Sequence, residues 1–575
     1  RPKQPITYYI DPNVPAEYRQ PFKDGVEAWN KAFEAAGWAG AVRALDLPAG
    51  ADPEDIRYAT LRWNVSDQPG YGAIGPSTVD PRTGEVLDAD ILFESNMFLG
   101  FRQSWRQLAG PAGAAEAFEQ ALGVGAYEPR PNDRLELAGF AEAFQAQGTL
   151  LHAALLARGE IGPDDPVPMP YVLEAVKWVV MHEVGHTLGL QHNFRSSAST
   201  PFARLHDKSW AAENGLYSSV MEYPTVNLAP RGTPNGLYYT PGAGSYDRWA
   251  ISYAYAADPA RAAALAREVA SPRHLYGTNA ESGGPGALDP SINVYDLGDD
   301  PLAWGKERAA IIRELIRSLE AHTLSDNVPY NRLTGYFNGL MSQYGQAVAP
   351  AVKYLGGQYI NRDHVGDPGG RLPFVNVPRE KQREALDFIV SHVFAADALT
   401  VPQSVLQKMG SNRWNHWGSN TTFNGRLDFP YHEAVLGFQS SAMAQLLNPF
   451  RLARIRDGET KYGAANMVTI PELMGALTRA VWSEAQGAAP RSTSPVRRDL
   501  QRAYLDQMTE IVVKPAARTP ADARSVARMQ LRDLDQRLAR ALTAGASLDS
   551  YTRAHLLESR ARIGKALNAG LEAER

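Results

Sequence analysis

A short, mostly apolar run, Ile6-Thr7-Tyr8-Tyr9-Ile10, predicts a strand close to the start of the chain. Tyr18, Phe22, Val26, Trp29 and Phe33 then recur at spacings of four, four, three and four, one stripe of an amphipathic helix. Ile56 to Trp63 and Tyr71 to Thr78 read as further strands, and Asp80-Pro81-Arg82-Thr83-Gly84 as a turn before a strand from Glu85 to Phe93. Tyr171, Val172, Ala175, Val176, Val179 and Val180 form a broad apolar helical face. After Tyr255 the pattern changes. A Gly/Pro-rich span, Ser271 to Pro301, precedes helical stripes at Ile311, Ile312, Leu315, Ile316 and Leu319, at Ala385, Phe388, Ile389 and Val393, and at Leu473, Leu477, Val481 and Trp482. Leu531, Leu534, Leu538 and Leu542, a break at Gly545 and a helix cap at Asp549 predict a terminal αα-hairpin at about 519–572. Gly356 to Val377 and Asn412 to Asn424, rich in Gly, Asn and aromatic residues, read as loops or short strands.

Composition narrows the class. A chain of 575 residues exceeds one ordinary domain, and 44% hydrophobic with 21% charged residues is globular, so roughly two to four units are expected. A net charge of −5 supplies no basic field for nucleic acid or an anionic membrane. No run of about 18 apolar residues is present to span a bilayer. The absence of cysteine excludes disulfides and excludes a thiol that blocks a metal site.

The decisive chemistry lies in His182-Glu183-Val184-Gly185-His186-Thr187-Leu188-Gly189-Leu190-Gln191-His192. On a helix, positions i and i+4 share a face, so His182 and His186 can offer two imidazole nitrogens to one metal ion. Gly189 lacks a Cβ and lets the chain leave the helix in a left-handed turn, bringing His192 back as a third ligand. Three neutral histidines leave a tetrahedral Zn²⁺ one open position for water. Glu183 stands beside them without being a ligand. Surface or core histidines on an ordinary helix account for the first pair; core packing does not account for the third after a glycine.

The pattern H-E-x-x-H-x-x-G-x-x-H is the signature of the metzincins, which the stretch resembles at every defined position. Ser219-Val220-Met221-Glu222-Tyr223 resembles the methionine turn of that clan, with Met221 as the methionine beneath the imidazoles. It also resembles the S-x-M-x-Y form of astacins and serralysins, which implies that Tyr223 stabilises the tetrahedral intermediate. Two departures stand out. Glu222 occupies the position of an astacin histidine, and no tandem calcium-binding glycine repeats follow; Gly283-Gly284-Pro285-Gly286 is an isolated loop. The segments PITYYIDPNVP, WNKAFEAAGW, GPSTVDPRTGE, HEVGHTLGLQHNFRSS, SVMEYP and SYDRWAISYAY together look like large bacterial secreted zinc-dependent metalloproteases with a long helical extension.

The resemblance implies an α+β fold. A metzincin catalytic domain, a twisted mixed sheet plus the zinc-binding helix, would occupy 1–255 with a helical insertion at about 103–168. A mainly α-helical C-terminal region, in one or two subdomains, would occupy 256–575. Ala-rich stretches near Gly113 to Leu122 and Leu135 to Arg158 make the insertion either a cover over the cleft or a passive hairpin. Ala89 to Glu94 is the candidate edge strand for pairing with extended peptide substrate. Pro224-Thr225-Val226 would wall the pocket beyond the scissile bond. Asp289, Asp296, Asp299 and Asp300 are candidate Ca²⁺ ligands, with a solvated acidic loop as the other reading. His364, His416 and the other dispersed histidines show no paired ligand spacing. Arg1-Pro2-Lys3-Gln4 carries neither initiator methionine nor signal core, so the sequence reads as a mature or trimmed chain acting as a secreted, periplasmic or cell-surface protein. The expected activity is that of a zinc endopeptidase with Glu183 as general base. An amidase for cell-envelope or nonprotein substrates and a silent zinc-bound module are the alternatives.

Overall fold

In the computed structural model the first apolar run forms strand β1 (Ile6–Ile10), with Tyr8 and Ile10 turned into the core. The structure describes residues 1–66, 71–98, 117–119, 121–122, 134–284, 287–367, 369–411, 426–487, 490–544 and 548–569. The stripe from Tyr18 to Phe33 is buried at all five positions, but two helices share it, α1 (Ala16–Glu27) and α2 (Asn30–Ala35). The linking residues Ala28 and Trp29 keep right-handed dihedrals, and Trp29 N–H bonds back three residues to Val26 O at 3.4 Å, so the helix tightens rather than turns away. At that tightening the Trp29 indole donates to Met181 O at 3.1 Å.

Strands β2 (Val42–Asp46), β3 (Thr60–Asn64), β4 (Ala73–Ile74) and β7 (Ile91–Glu94) join β1 in one sheet of order β2-β1-β3-β7-β4. All neighbours are parallel except β4, which runs antiparallel to β7 at the edge. A separate ribbon pairs β5 (Thr78–Val79) with β6 (Val86–Asp88), so the spans expected as single strands at Tyr71 to Thr78 and Glu85 to Phe93 each divide between two sheets. The expected strand from Ile56 begins four residues later because Asp52 and Asp55 fold the preceding segment into Asx turns, accepting from Glu54 N and Arg57 N. The Ala89 to Glu94 segment is not the sheet edge. Its strand β7 lies between β3 and β4 with Ile91 and Phe93 fully buried, and among the described residues the outer strands are β4 on this side and β2 on the other.

Below the sheet runs α4 (Met169–Thr187), apolar on almost every side and buried nearly throughout, which fixes its axis and therefore its histidines. Among the described residues the expected insertion holds one long helix, α3 (Arg134–Arg158), which joins the apolar core. Phe144, Leu150, Leu151 and Leu155 are buried, and the helix packs against α6 (Pro301–Thr323) and α7 (Asn331–Lys353). Most of 103–133 lies outside the described residues, as do Asn412 to Asn424, His416, Pro285-Gly286 and Gly545. Between α4 and α6 stands α5 (Ser245–Ala254).

The later stripes fold as helices at Arg379–Ile389, which runs on into a π turn at Val390–Phe394, and at Ile470–Val481. Gly356 to Val377 holds an antiparallel pair, Gln358–Ile360 with Phe374–Asn376. The chain ends in Ala521–Ala544 and Ser550–Asn568, the second capped by Asp549 accepting from Thr552 N at 2.8 Å. One connected apolar core extends from Tyr8 to Ala566. Among the described residues no helix is long and apolar enough to cross a membrane.

Candidate metal centre

Helix α4 presents His182 and His186 one turn apart, and Gly189, at φ +96°, takes the chain out of the helix. The His192 ring then lies 5.2 Å from that of His182 and 4.9 Å from that of His186. One ring nitrogen from each falls within 4.8 Å of the others, and no other group of three His, Cys, Asp or Glu converges this way among the described residues.

The Nδ1 atoms are all engaged. His182 meets Val220 O at 2.8 Å, His186 meets Leu190 O at 3.1 Å and His192 meets Asn279 Oδ1 at 3.3 Å. These oxygens only accept, so each Nδ1 carries the hydrogen and each Nε2 points a lone pair into the cluster. The Nε2 atoms of His182 and His186 face each other at 3.2 Å, an arrangement that is repulsive without a cation between them. Tetrahedral zinc with Zn–N near 2.0 Å puts neighbouring nitrogens about 3.3 Å apart. His192 Nε2 is buried without a partner. The donor set therefore fits zinc. Burial holds all three imidazoles below their ordinary pKa, His182 far below and His192 down to about 3, and neutral imidazole is the form that binds metal.

Glu183 is 5% exposed and lies against the sheet edge. The N–H of Gly75, just beyond β4, donates to its carboxylate, while desolvation pushes that carboxyl up to about 8 in the metal-free protein. A Cβ on Gly75 would stand 2.5 Å from Glu183 O and 3.3 Å from Oε2, so a glycine is what brings the edge strand this close.

Met221 is fully buried beneath the histidines. Its Sδ occupies the space beside Gly185, where a Cβ would approach it to 2.4 Å and the Trp29 ring to 2.9 Å. The turn itself is held by Asp247 of α5, which accepts from Ser219 Oγ at 2.6 Å, Val220 N at 2.9 Å and Gly244 N at 2.8 Å. Since Val220 O anchors His182, Asp247 fixes that imidazole at one remove. Asp247→Ala should weaken zinc binding about 10-fold, as losses in the supporting shell of a metal site do, measured by competition with a chromogenic chelator. Unchanged affinity would show that the turn holds its shape unaided.

Tyr223 places its ring 4.5 Å from His192 and 5.4 Å from His182. The segment after it is clamped from two sides. Gln147 of α3 donates to Pro224 O at 3.1 Å and accepts from Val226 N at 2.9 Å, and Arg308 of α6 donates to Val226 O at 2.6 Å. The four aspartates read as Ca²⁺ candidates are engaged within the protein: Asp289 with Ser291, Ile360 N–H and Arg195, Asp296 with Ser197 and Asn293, Asp299 with Phe202 N–H, and Asp300 with Ala303 N–H and Lys381. Calcium has no support here, and His364 is exposed.

The structure thus brings together His182, Glu183, His186, His192, Met221 and Tyr223, and adds Gly75, Gln147, Asp247 and Asn279, which the sequence did not single out. Gly75 and Asp247 lie within the quoted segments GPSTVDPRTGE and SYDRWAISYAY, and Gly185, whose missing Cβ makes room for Met221, carried a local signal as a glycine inside a helix between two histidines.

A family model described as Met-zincin matches residues 164–489, more than half of the chain. The chain belongs to the Met-zincin family. The matched span opens just ahead of α4, so it includes the histidine cluster, the methionine turn and both α6 and α7. Membership brings zinc metalloprotease chemistry in general and zinc as the cofactor. No curated protein and no solved structure matches this Met-zincin.

Proposed function

We propose that this Met-zincin is a zinc-dependent endopeptidase, with His182, His186 and His192 as the ligands, Glu183 as general base and Tyr223 as a hydrogen-bond donor to the developing oxyanion. The observation that carries this reading is the convergence of three inward lone pairs beside a buried carboxylate at an open sheet edge. Zinc supplies acidification of a water and polarisation of a carbonyl. Glu183 takes the proton of the attacking water and passes it to the leaving amine, and its burial keeps that proton from bulk solvent. Extended peptide would add to β4 rather than to β7, since β4 is an outer strand of the sheet and Gly75 brings it onto Glu183. Pro224 to Val226, held by Gln147 and Arg308, would wall the pocket beyond the scissile bond.

Digestion of unfolded casein and of a peptide library with and without chelator tests the reading. Chelator-sensitive cleavage restored by zinc supports it; activity confined to envelope peptides, or none, overturns it. Tyr223→Phe should lower kcat roughly 10- to 10³-fold with KM nearly unchanged, because the hydroxyl acts only as charge develops. Wild-type kinetics in that variant would leave Tyr223 a packing residue.

A further inference from the structure

Three non-glycine residues among those described have a positive φ, and two of them, Asn327 and Arg518, are exposed loop residues. The third is Tyr295, at φ +63° and 3% exposed. A bulky aromatic in the left-handed region is unfavourable and persists only where its surroundings over-determine it. Here they do. Tyr295 N–H donates to Tyr223 O at 2.8 Å, and Asn293 N–H donates to Phe194 O at 2.8 Å. The neighbouring Asp296 accepts from Ser197 Oγ and Asn293 Nδ2, each at 2.8 Å, and the buried Lys353 ammonium donates to Ile292 O at 2.6 Å. The aspartates read from the sequence as calcium ligands therefore tie this segment down beneath the metal centre.

The consequence of the strained backbone is the position of one ring. Tyr295 stacks on Tyr223 with centroids 6.3 Å apart and planes 15° apart, on a residue whose ring also meets His192 at 4.5 Å and Phe194 at 5.3 Å. We propose that Tyr295 is a positioning residue, whose left-handed backbone and stacked ring hold Tyr223 against His192 so that the Tyr223 hydroxyl meets the reacting carbonyl oxygen. The proposal rests on the role given to Tyr223 above. It also makes the segment after residue 255 part of the reacting centre, not an appendage to it.

The test uses the full-length zinc-loaded protein carrying Tyr295→Gly or Tyr295→Phe, each alone and with Tyr223→Phe. Tyr295→Gly should lower kcat about 10-fold with KM and zinc stoichiometry unchanged, and Tyr295→Phe, which keeps the ring, should behave as wild type. In the Tyr223→Phe background Tyr295→Gly should change kcat by less than about twofold, since coupled residues are not additive. The crystal structure of Tyr295→Gly should show the Tyr223 ring displaced from His192 with the three histidines in place, a result independent of turnover. An unmoved ring, or equal losses in both backgrounds, overturns the proposal. Wild-type kinetics in Tyr223→Phe removes the role of Tyr223 and this inference with it, whereas a slow Tyr223→Phe beside an unaffected Tyr295→Gly overturns the inference alone. Tyr295→Asn, which tolerates the left-handed backbone but lacks the ring, serves if the glycine variant fails to fold.

Discussion

Replacing Glu183 with glutamine should lower peptide hydrolysis by about 10²- to 10⁴-fold while zinc stays bound, the loss expected if the proposed general base is removed and little else changes. The substitution is nearly isosteric. The amide oxygen can still accept from Gly75 N–H, the close approach of the edge strand is retained, and no histidine loses its Nδ1 partner. Elemental analysis should therefore return one zinc per chain, and the melting temperature should match that of wild type. His192→Ala gives the opposite pair of results: it removes the ligand whose Nε2 has no protein partner, so zinc becomes substoichiometric and activity falls with it. Appreciable turnover in Glu183→Gln at full zinc occupancy would falsify the assignment of the base, and full occupancy in His192→Ala that of the third ligand.

The parts of the site legible in the sequence were those whose geometry is local. His182 and His186 are placed by one helical turn, His192 by the freedom of Gly189, and Met221 and Tyr223 by a short motif. What could not be read was set by contacts between distant segments. Asn279 reaches His192 across 87 residues and Asp247 reaches Val220 across 27, and nothing near either residue announces its partner. Strand order is non-local in the same way. Ala89 to Glu94 was expected at the edge from the resemblance, as the last strand before the zinc helix, but β4, folded back antiparallel from an earlier point in the chain, takes the outer place. Strand β2 was missed because Val42–Asp46 buries only Val42 and Ala44, a weak alternation between turns at Gly40 and at Pro48 to Gly50. The Ala-rich α3 reads by composition as an insertion, either over the cleft or a passive hairpin, and its packing against α6, α7 and, through Phe144 and Trp178, α4 is set by contacts with distant segments. Likewise the aspartates of 289–300 look like a cation loop until their hydrogen-bond partners are seen to come from residues 197, 202, 360 and 381.

In the helical region Arg497→Met should destabilise the protein by about 3–5 kcal/mol, the range for removing one member of a buried ion pair. Arg497 is 3% exposed and Glu484 is 6% exposed. Their side chains meet through Nε and Oε1 at 2.8 Å, while Arg497 Nη2 donates to Ala480 O at 2.6 Å and Val481 O at 2.7 Å, and Nη1 donates to Phe394 O. One guanidinium thus satisfies the carbonyls that end the Ile470–Val481 helix and the π turn at Val390–Phe394, from a seat in the first turn of the helix Pro495–Val513. Gln501 extends the network by donating to Glu484 Oε2 at 3.0 Å and accepting from His555 at 2.8 Å, which brings in the last helix. Methionine fills much of the volume but removes the countercharge of the buried Glu484, which keeps only Gln501 as a donor, and takes the guanidinium donors from Phe394 O, Ala480 O and Val481 O, so the desolvation of those groups is no longer fully offset. Adding Glu484→Gln to Arg497→Met should restore part of the loss, because the uncompensated charge goes with it. The control is Asp522→Asn, which breaks the ion pair to Arg456 at 3.0 Å, where both side chains are more than half exposed and solvent screens the interaction. Denaturant unfolding followed by circular dichroism should leave that variant at the wild-type midpoint and shift Arg497→Met well below it; equal midpoints for the two would mean that helix packing alone holds this end of the molecule together.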